Sequence, residues 1–432
     1  MEWAGALLLV GVYGALLAPQ VFHRGPPAWA VFLAGGGLFV GSGILPLGAA
    51  AAALDAAVPI LLFLLALFVL TAGLEKSGAI EHLAHWLIGR SRDLPELAFA
   101  LFLGLGVLSA FLVNDALVLL GVPLLILVSR RLGISPTPLL LTLAFAVTVG
   151  SVATPIGNPQ NLLVALSSGF TAPFATFLRY LLVPTVLCLL LGGWYLRAAF
   201  RAEYSSSPLY ARYPRIPLFP SGGWLPRLRR LPALWVFGGT MATMVGIDLS
   251  AELLGFQAVP DYLVALGGAA VLLAVSSRRV ELVRRVNWTL MLLFGGLFLV
   301  VAGATSSGVV GSLESLLPIP GAHSGASPLP AIALTSLLGP QLFSNVPWVA
   351  LQIPVLSHLG YTATTPTVWL GLAAMSTLAG NLTFLGAASN LIIVEQAERQ
   401  GERLGLKEFV RHGAPMTAIC VGVTFAALYF GI

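Results

Sequence analysis

The sequence predicts an all-α polytopic membrane protein built from two inverted-topology repeats, and three observations carry that expectation. Only 9% of the residues are charged and 58% are hydrophobic, against about 25% charged in an ordinary soluble domain; mean hydropathy is +0.94. The basic residues fall almost entirely in alternate connections. Three short polar motifs return in the second half at nearly one offset.

Taken in order, Met1-Glu2-Trp3 puts an acid where a cleaved secretory leader would carry Lys or Arg, so 3–21 is expected as a retained first span. Apolar runs of bilayer-spanning length follow near 28–48 and 55–75. An amphipathic segment at 77–91 carries Glu81, His82 and His85, whose imidazoles read as one polar face, not a metal site. A hairpin is expected at 95–131, entering from the cytoplasm. The run 137–167 is broken by "TPIGNPQN" (Thr154–Asn161), and 174–197 closes the first repeat, 1–197. The Arg- and Pro-rich stretch 198–231 reads as a cytoplasmic linker. The second repeat, 232–432, restarts with spans near 232–250, 258–276 and 287–307 and a short segment at 308–317. A hairpin at 329–358 from outside, a broken helix at 364–395 and a last span at 409–431 complete it. Cys188 and Cys420 lie mid-helix without a CxxC motif and read as packing residues.

Charge placement sets the orientation. Of 22 Lys and Arg, 20 group on one side: Arg24; Arg90 and Arg92; Arg130 and Arg131; seven arginines from Arg197 to Arg230; four from Arg278 to Arg285; and Arg399, Arg403, Lys407 and Arg411. The intervening connections, such as 46–51, 167–173 and 250–260, have none. The positive-inside rule makes the first group cytoplasmic and the N-terminus external, in a multi-pass protein of the cytoplasmic (inner) membrane. The net charge of +5 is therefore an orientation signal, not a nucleic-acid footprint. Lys76 and Arg179 are the exceptions; Lys76 and Glu75 read as an interfacial pair, Arg179 as a headgroup contact. Asp55, Asp248, Glu252 and Asp261, near outer helix ends, are expected to be solvated.

The repeat is visible residue by residue. "LFVLTAGLEKSG" (Leu67–Gly78) aligns with "LFLVVAGATSSG" (Leu297–Gly308) at an offset of 230. Asn114 in "FLVNDALVLLGVPLL" falls over Asn345 in "FSNVPWVALQIPVL" at 231. In "TPIGNPQNLLV" and "TFLGAASNLIIV", Thr154, Gly157 and Asn161 fall over Thr383, Gly386 and Asn390 at 229. Inverted repeats with matching interruptions point to a secondary transporter whose site lies where the breaks meet. Unwound backbone at membrane depth survives only where protein buries it or it lines a wet cavity, and there it offers free N–H and C=O groups to a ligand.

The candidate binding residues follow. Pro155 and Pro159 remove two donors, Gly157 permits unusual backbone, and Asn158, Gln160 and Asn161 both donate and accept. Thr154 joins them, and the second break supplies Thr383, Gly386, Ser389 and Asn390. The hairpin tips offer Asn114 and Asp115 on one side, Ser344 and Asn345 on the other. Asp115 is the coupling candidate, because intramembrane carboxylates are costly and serve as proton or cation carriers; the bland alternative is a helix N-cap. No HExxH, Walker A, GxSxG or kinase set is present, so no enzyme is expected, and no cofactor beyond a candidate sodium ion.

At these residues the chain resembles the ion transporter superfamily, which spans arsenite permeases, divalent anion–sodium symporters, citrate permeases and sodium/proton antiporters of the NhaD type. Over essentially all 432 residues, "TAGLEKSG", "VNDALVLLGVP" and "TPIGNPQN" look closest to the ArsB-like anion permease branch. The resemblance implies an elevator movement of hairpins and broken helices against a scaffold, and homodimers. It implies sodium and anion held at the tips, which places a candidate sodium at Asn114 and Asn345. Only Ser344 and Asn345 match the Ser-Asn-Thr tip of the dicarboxylate branch, with Val346 in place of threonine; at the first tip only Asn114 matches, between Val113 and Asp115. The expected function is proton- or sodium-coupled transport of a small anion or oxyanion (arsenite, an inorganic anion or a carboxylate) by alternating access. The alternative is a sodium/proton antiporter on the same fold.

Overall fold

The computed structural model describes residues 2–22, 25–76, 91, 93–204, 232–256 and 258–431. The described residues form helices and their connections, with no strand among them. The amphipathic segment with His82 and His85, and most of the expected linker, lie outside the described residues.

Three helices open the chain: α1 (Glu2–Phe22), α2 (Ala28–Gly41) and α3 (Leu47–Lys76). α3 starts earlier than the hydropathy suggested, because the alanine-rich run at 49–53 continues the helix instead of forming a connection. A hairpin follows, α4 (Leu94–Ser109) and α5 (Asn114–Leu132). Asp93 starts it by accepting from the Glu96 N–H at 2.8 Å, with Pro95 in the first turn. Gly133 ends it in the left-handed conformation (φ 66°), behind Arg130 and Arg131 in the last turn.

The first broken element is α6 (Thr137–Gly150), a 3-10 turn (Ser151–Ala153), five non-helical residues and α7 (Pro159–Ser167). α8 (Pro173–Tyr204) runs on into the segment expected as linker. The second half repeats the order. It comprises α9 (Pro232–Leu254), α10 (Asp261–Val275), the short α11 (Arg279–Arg284), α12 (Trp288–Ser307) and α13 (Val309–Leu316). The hairpin α14 (Leu329–Phe343) and α15 (Asn345–His358) comes next, then α16 (Pro366–Ala379), a 3-10 turn (Phe384–Gly386), α17 (Ala388–Arg399) and α18 (Leu406–Phe430).

Five of these, α3, α8, α9, α12 and α18, are long and apolar enough to cross a bilayer. The half-helices that precede the breaks are different. Every residue of α6 is buried, as is nearly every residue of α16, and an all-round apolar helix belongs at the centre of a bundle. The two breaks are thereby held inside protein, α7 packing against α15 and α16.

Candidate functional site

The two breaks share a reach-back asparagine and a close-packed glycine, and differ in how the helix that follows is capped. Asn158 caps α7, its Oδ1 accepting from the Asn161 N–H at 2.8 Å, with Pro159 in the first turn. Asn161 then reaches back, donating from Nδ2 to the Ser151 carbonyl at 2.9 Å and the Thr154 carbonyl at 3.0 Å. The carbonyls freed by the break are thus satisfied by an amide within it. Asn390 does the same ten residues back, Nδ2 to the Gly380 carbonyl at 2.6 Å. A Cβ on Gly157 would sit 2.4 Å from the Ser151 carbonyl oxygen, and one on Gly386 3.0 Å from that of Ala379. At Gly157 only glycine lets the strands of the break close to this distance.

Both hairpin tips meet the breaks. Asn114 opens α5, buried; its Nδ2 donates to Ser151 Oγ at 3.3 Å. Ser109 Oγ has one proton for two acceptors, Asn114 Oδ1 at 2.8 Å and the Val147 carbonyl at 2.5 Å. Thr154 Oγ1 donates to the Ala110 carbonyl at the first tip. On the other side, Asn345 opens α15. With its amide oxygen toward Gln160 it accepts from Nε2 at 3.0 Å, and its nitrogen donates to the Ser376 carbonyl at 3.0 Å and to that of Gly386. Ser344 precedes it at φ 65°, ψ 165°, and is the one non-glycine residue with positive φ among those described. Such backbone costs about 1–3 kcal/mol and concentrates at functional sites.

Thr377, at the end of α16, joins the halves. Asn158 Nδ2 and Gln160 Nε2 each donate to its Oγ1 at 3.2 Å, and its proton is shared between Asn161 Oδ1 at 3.2 Å and the Ala373 carbonyl at 2.8 Å. Asn158 Nδ2 also reaches Ser151 Oγ at 3.1 Å. One network therefore runs from the first tip through the first break to the second tip. It contains amides, hydroxyls and carbonyls and, among the described residues, no charged side chain.

The expected residues divide accordingly. Asn114, Thr154, Asn158, Asn161, Asn345 and the Gly386 carbonyl come together. Thr383 instead donates to Gln341 Oε1 at 2.7 Å, bracing α14, while Ser389 and Asn390 are buried beside their own break. Asp115 is half-buried in the first turn of α5 and no described side chain pairs with it. It is not the N-cap: Val113 is, without a side-chain bond. Sequence reading missed Ser109, Ser151, Ser376, Thr377 and Asn381 as contributors. Thr377 had a signal, since Thr148 precedes it by the same 229 residues and makes the same bond, to the carbonyl four residues back. Asn381 is fully buried and, among the described residues, neither of its amide atoms has a partner, nor has Asn390 Oδ1.

The charged residues outside the site differ from expectation. Glu75 pairs with Arg285 at 3.1 Å, joining the two halves, and Arg179, still largely exposed, pairs with Glu252 at 3.0 Å. Asp55 is exposed as expected, but Asp248 and Asp261 are 1% and 6% exposed, not solvated. Helix packing around α8, α9 and α10 removes them from water. Cys188 and Cys420 are buried, as packing residues should be.

Residues 21–379 match the citrate transporter family. The chain is 30% identical to an uncharacterised transporter of Mycobacterium tuberculosis, over 86% of this chain and 85% of that one. It is 26% identical to a silicon efflux transporter of Oryza sativa, covering 84% and 85%. Among solved structures it superposes on the YdaH transporter of Alcanivorax borkumensis with a TM-score of 0.55 at 16% identity, over 88% and 87% of the two chains, a likeness of fold.

Proposed function

Because the chain belongs to the citrate transporter family, and so is a multi-pass membrane transporter and not an enzyme, we propose that it moves a small anion or oxyanion by alternating access across the cytoplasmic membrane. The observation that carries this reading is the uncharged network of Asn114, Asn158, Asn161, Asn345, Gln160 and Thr377 where both tips meet the first break. Amides and hydroxyls serve a cargo that both gives and takes hydrogen bonds. A small hydroxylated oxyanion such as arsenite, or an inorganic anion, fits that chemistry better than a carboxylate of high charge, which calls for guanidinium or ammonium groups. The rice relative is a silicon efflux transporter.

The coupling ion is a proton or sodium. Asp115, unpaired beside Asn114, is the group we assign to it, and Asn114 and Asn345 are where a sodium ion would sit. From the second break the Gly386 carbonyl joins this network through Asn345, while Thr383, Ser389 and Asn390 hold that break beside it. The two repeats, 1–197 and 232–432, lie inverted about it, with the N-terminus outside and the Arg-rich connection cytoplasmic, in a homodimer. Hairpins and broken helices move as one body against α1–α3 and α9–α12.

Asp115 also favours a second reading, sodium/proton exchange with no anion carried. Purified protein in liposomes loaded with a pH-sensitive dye separates the two. A sodium gradient is imposed alone, then with arsenite, phosphate, sulfate or dicarboxylates. Proton movement that needs one of these anions is the expected result. Movement driven by sodium alone would overturn the anion reading.

A further inference from the structure

Tyr13, midway along α1, is buried and reaches across to the second hairpin. Its hydroxyl donates to the Pro347 carbonyl, in the first turn of α15, at 2.9 Å. Its ring meets Phe343, the last residue of α14, edge to face at a centroid distance of 5.0 Å, and Phe32 of α2 at 6.1 Å. Ser344 and Asn345 lie between these two holds. One side chain thus grips the second tip on both flanks, and the gripped stretch contains Asn345, which joins the tip to Gln160 and to the Gly386 carbonyl. Ser344 keeps its positive φ of 65° in the same stretch. Strained backbone persists only where its surroundings over-determine it, and Tyr13 supplies part of that constraint from α1.

The far end of α15 is held from the same side. His358, in its last turn, pairs with Glu314 of α13, and Ser312 of α13 donates to Glu2 of α1. α1, α12 and α13 pack on one another, so they make one wall with α15 bonded to it at both ends. The two bonds are unequal. The His358 and Glu314 side chains are 63% and 30% exposed, and an ion pair open to water contributes little. Tyr13 bonds inside protein, where a hydrogen bond is electrostatically stronger. The grip also belongs to one half. At the repeat offset of 230, Tyr13 falls on Thr243 of α9, which is exposed and donates to the Gly239 carbonyl of its own helix at 2.8 Å.

We propose that Tyr13 is a positioning residue for the second tip: its hydroxyl sets Asn345 in the network in the state seen here, and it releases Pro347 each time the hairpin shifts along the wall. The proposal rests on the alternating-access reading. A 2.9 Å hydrogen bond is lost once donor and acceptor separate by about another 1 Å. That is far less than the travel alternating access asks of a site within a hydrocarbon core of about 30 Å. The bond therefore belongs to one state, and its strength enters the balance between states. The Pro347 carbonyl, in the first turn of a helix, also faces the N–H four residues on. Removing the hydroxyl therefore strands no backbone group and leaves the fold intact.

The test reads the position of the hairpin and needs no cargo. Spin labels are attached at Leu47→Cys, the start of α3, and at Ser357→Cys, near the end of α15; both positions are exposed, and the native Cys188 and Cys420 are buried out of a label's reach. Label-to-label distances are measured by pulsed electron spin resonance on the full-length protein in nanodiscs. Tyr13 is compared with Tyr13→Phe, which keeps the ring and deletes the hydroxyl. The expected result is one dominant distance with Tyr13 and, in Tyr13→Phe, a gain of about two- to tenfold in the population of a second, as the loss of one ordinary hydrogen bond predicts. Glu314→Gln should give a smaller gain, since its ion pair is exposed. Two distances in the same proportion with and without the hydroxyl would overturn the proposal and leave alternating access standing. A single distance shared by Tyr13, Tyr13→Phe and Tyr13→Ala would overturn both, because the hairpin would then not move against the scaffold.

Discussion

Thr377→Val removes one hydroxyl from the point where four residues converge. The side chain is 1% exposed, so water cannot replace what is lost. Asn161 Oδ1 loses the one donor it has among the described residues, Thr377 Oγ1 at 3.2 Å. A buried acceptor left unpaired costs about 1–3 kcal/mol. Asn158 Nδ2 and Gln160 Nε2 each lose an acceptor at 3.2 Å but retain others, Ser151 Oγ and Asn345, a loss of about 0.5–1.5 kcal/mol apiece. The variant should therefore be destabilised by roughly 2–6 kcal/mol. If only ~1.4 kcal/mol of this falls on the cargo-bound state, affinity drops tenfold. Thr148→Val is the matched control. Thr148 occupies the equivalent position but bonds only the Ala144 carbonyl, at 2.9 Å, so its loss strands no amide and should leave uptake near wild type. Thermal unfolding and concentration-dependent uptake in liposomes read both. Equal effects of the two substitutions would refute the assignment of Thr377 as the junction of the site.

Further outcomes follow from the same geometry. Ser344→Gly relieves the positive φ of the second tip and should leave Tm unchanged or raised, since relief of about 1–3 kcal/mol outweighs the usual glycine penalty of about 0.5–1 kcal/mol; a lower Tm would mean the hydroxyl holds the tip. Gly150→Ala would drive a Cβ into the Gly106 carbonyl, forcing the first hairpin off the first broken element; overpacking of this kind costs about 1–3 kcal/mol, and wild-type stability would show that this contact is not made. Asp115→Asn should preserve cargo binding while abolishing proton or sodium coupling, measured by dye response against tracer uptake; fully coupled transport would remove Asp115 from the mechanism.

Much of this architecture was legible because membrane burial leaves a coarse signature. Long apolar runs, basic loops and recurring motifs located both hairpins and both breaks to within a few residues. Asn114, Asn158, Asn161 and Asn345 were legible as polar residues with no other reason to be deep in apolar sequence. What sequence could not show was which partner each would take. Thr377 and Ser151 look like ordinary small helix residues, and their roles depend on contacts some 220 residues away or on the turn that ends α6. Asp248 and Asp261 were misplaced for a related reason. Helix-end acids are usually solvated, and only the packing of α8, α9 and α10 buries these two.

The two breaks share a backbone plan but not a state of satisfaction, and the difference makes one more test. In the first, Val152 stands where the second has Asn381, and Asn161 Oδ1 is paired where Asn390 Oδ1 is not. The second break thus holds three buried polar atoms with no partner among the described residues: both ends of the Asn381 amide and Asn390 Oδ1. Each costs about 1–3 kcal/mol, a burden that packing alone gives no reason to keep. Asn381→Val copies the first break and removes two of them. It should therefore stabilise the empty protein, raising its Tm. If those atoms are kept for a cargo or ion, the same substitution should weaken binding at least tenfold, so that stability and uptake move in opposite directions, as expected where a site stores strain for its ligand. A variant that is more stable and transports normally would show that Asn381 is a packing defect and not part of the site. A variant that is less stable would show that its amide has partners in the folded protein, and the asymmetry between the breaks would lose its functional meaning.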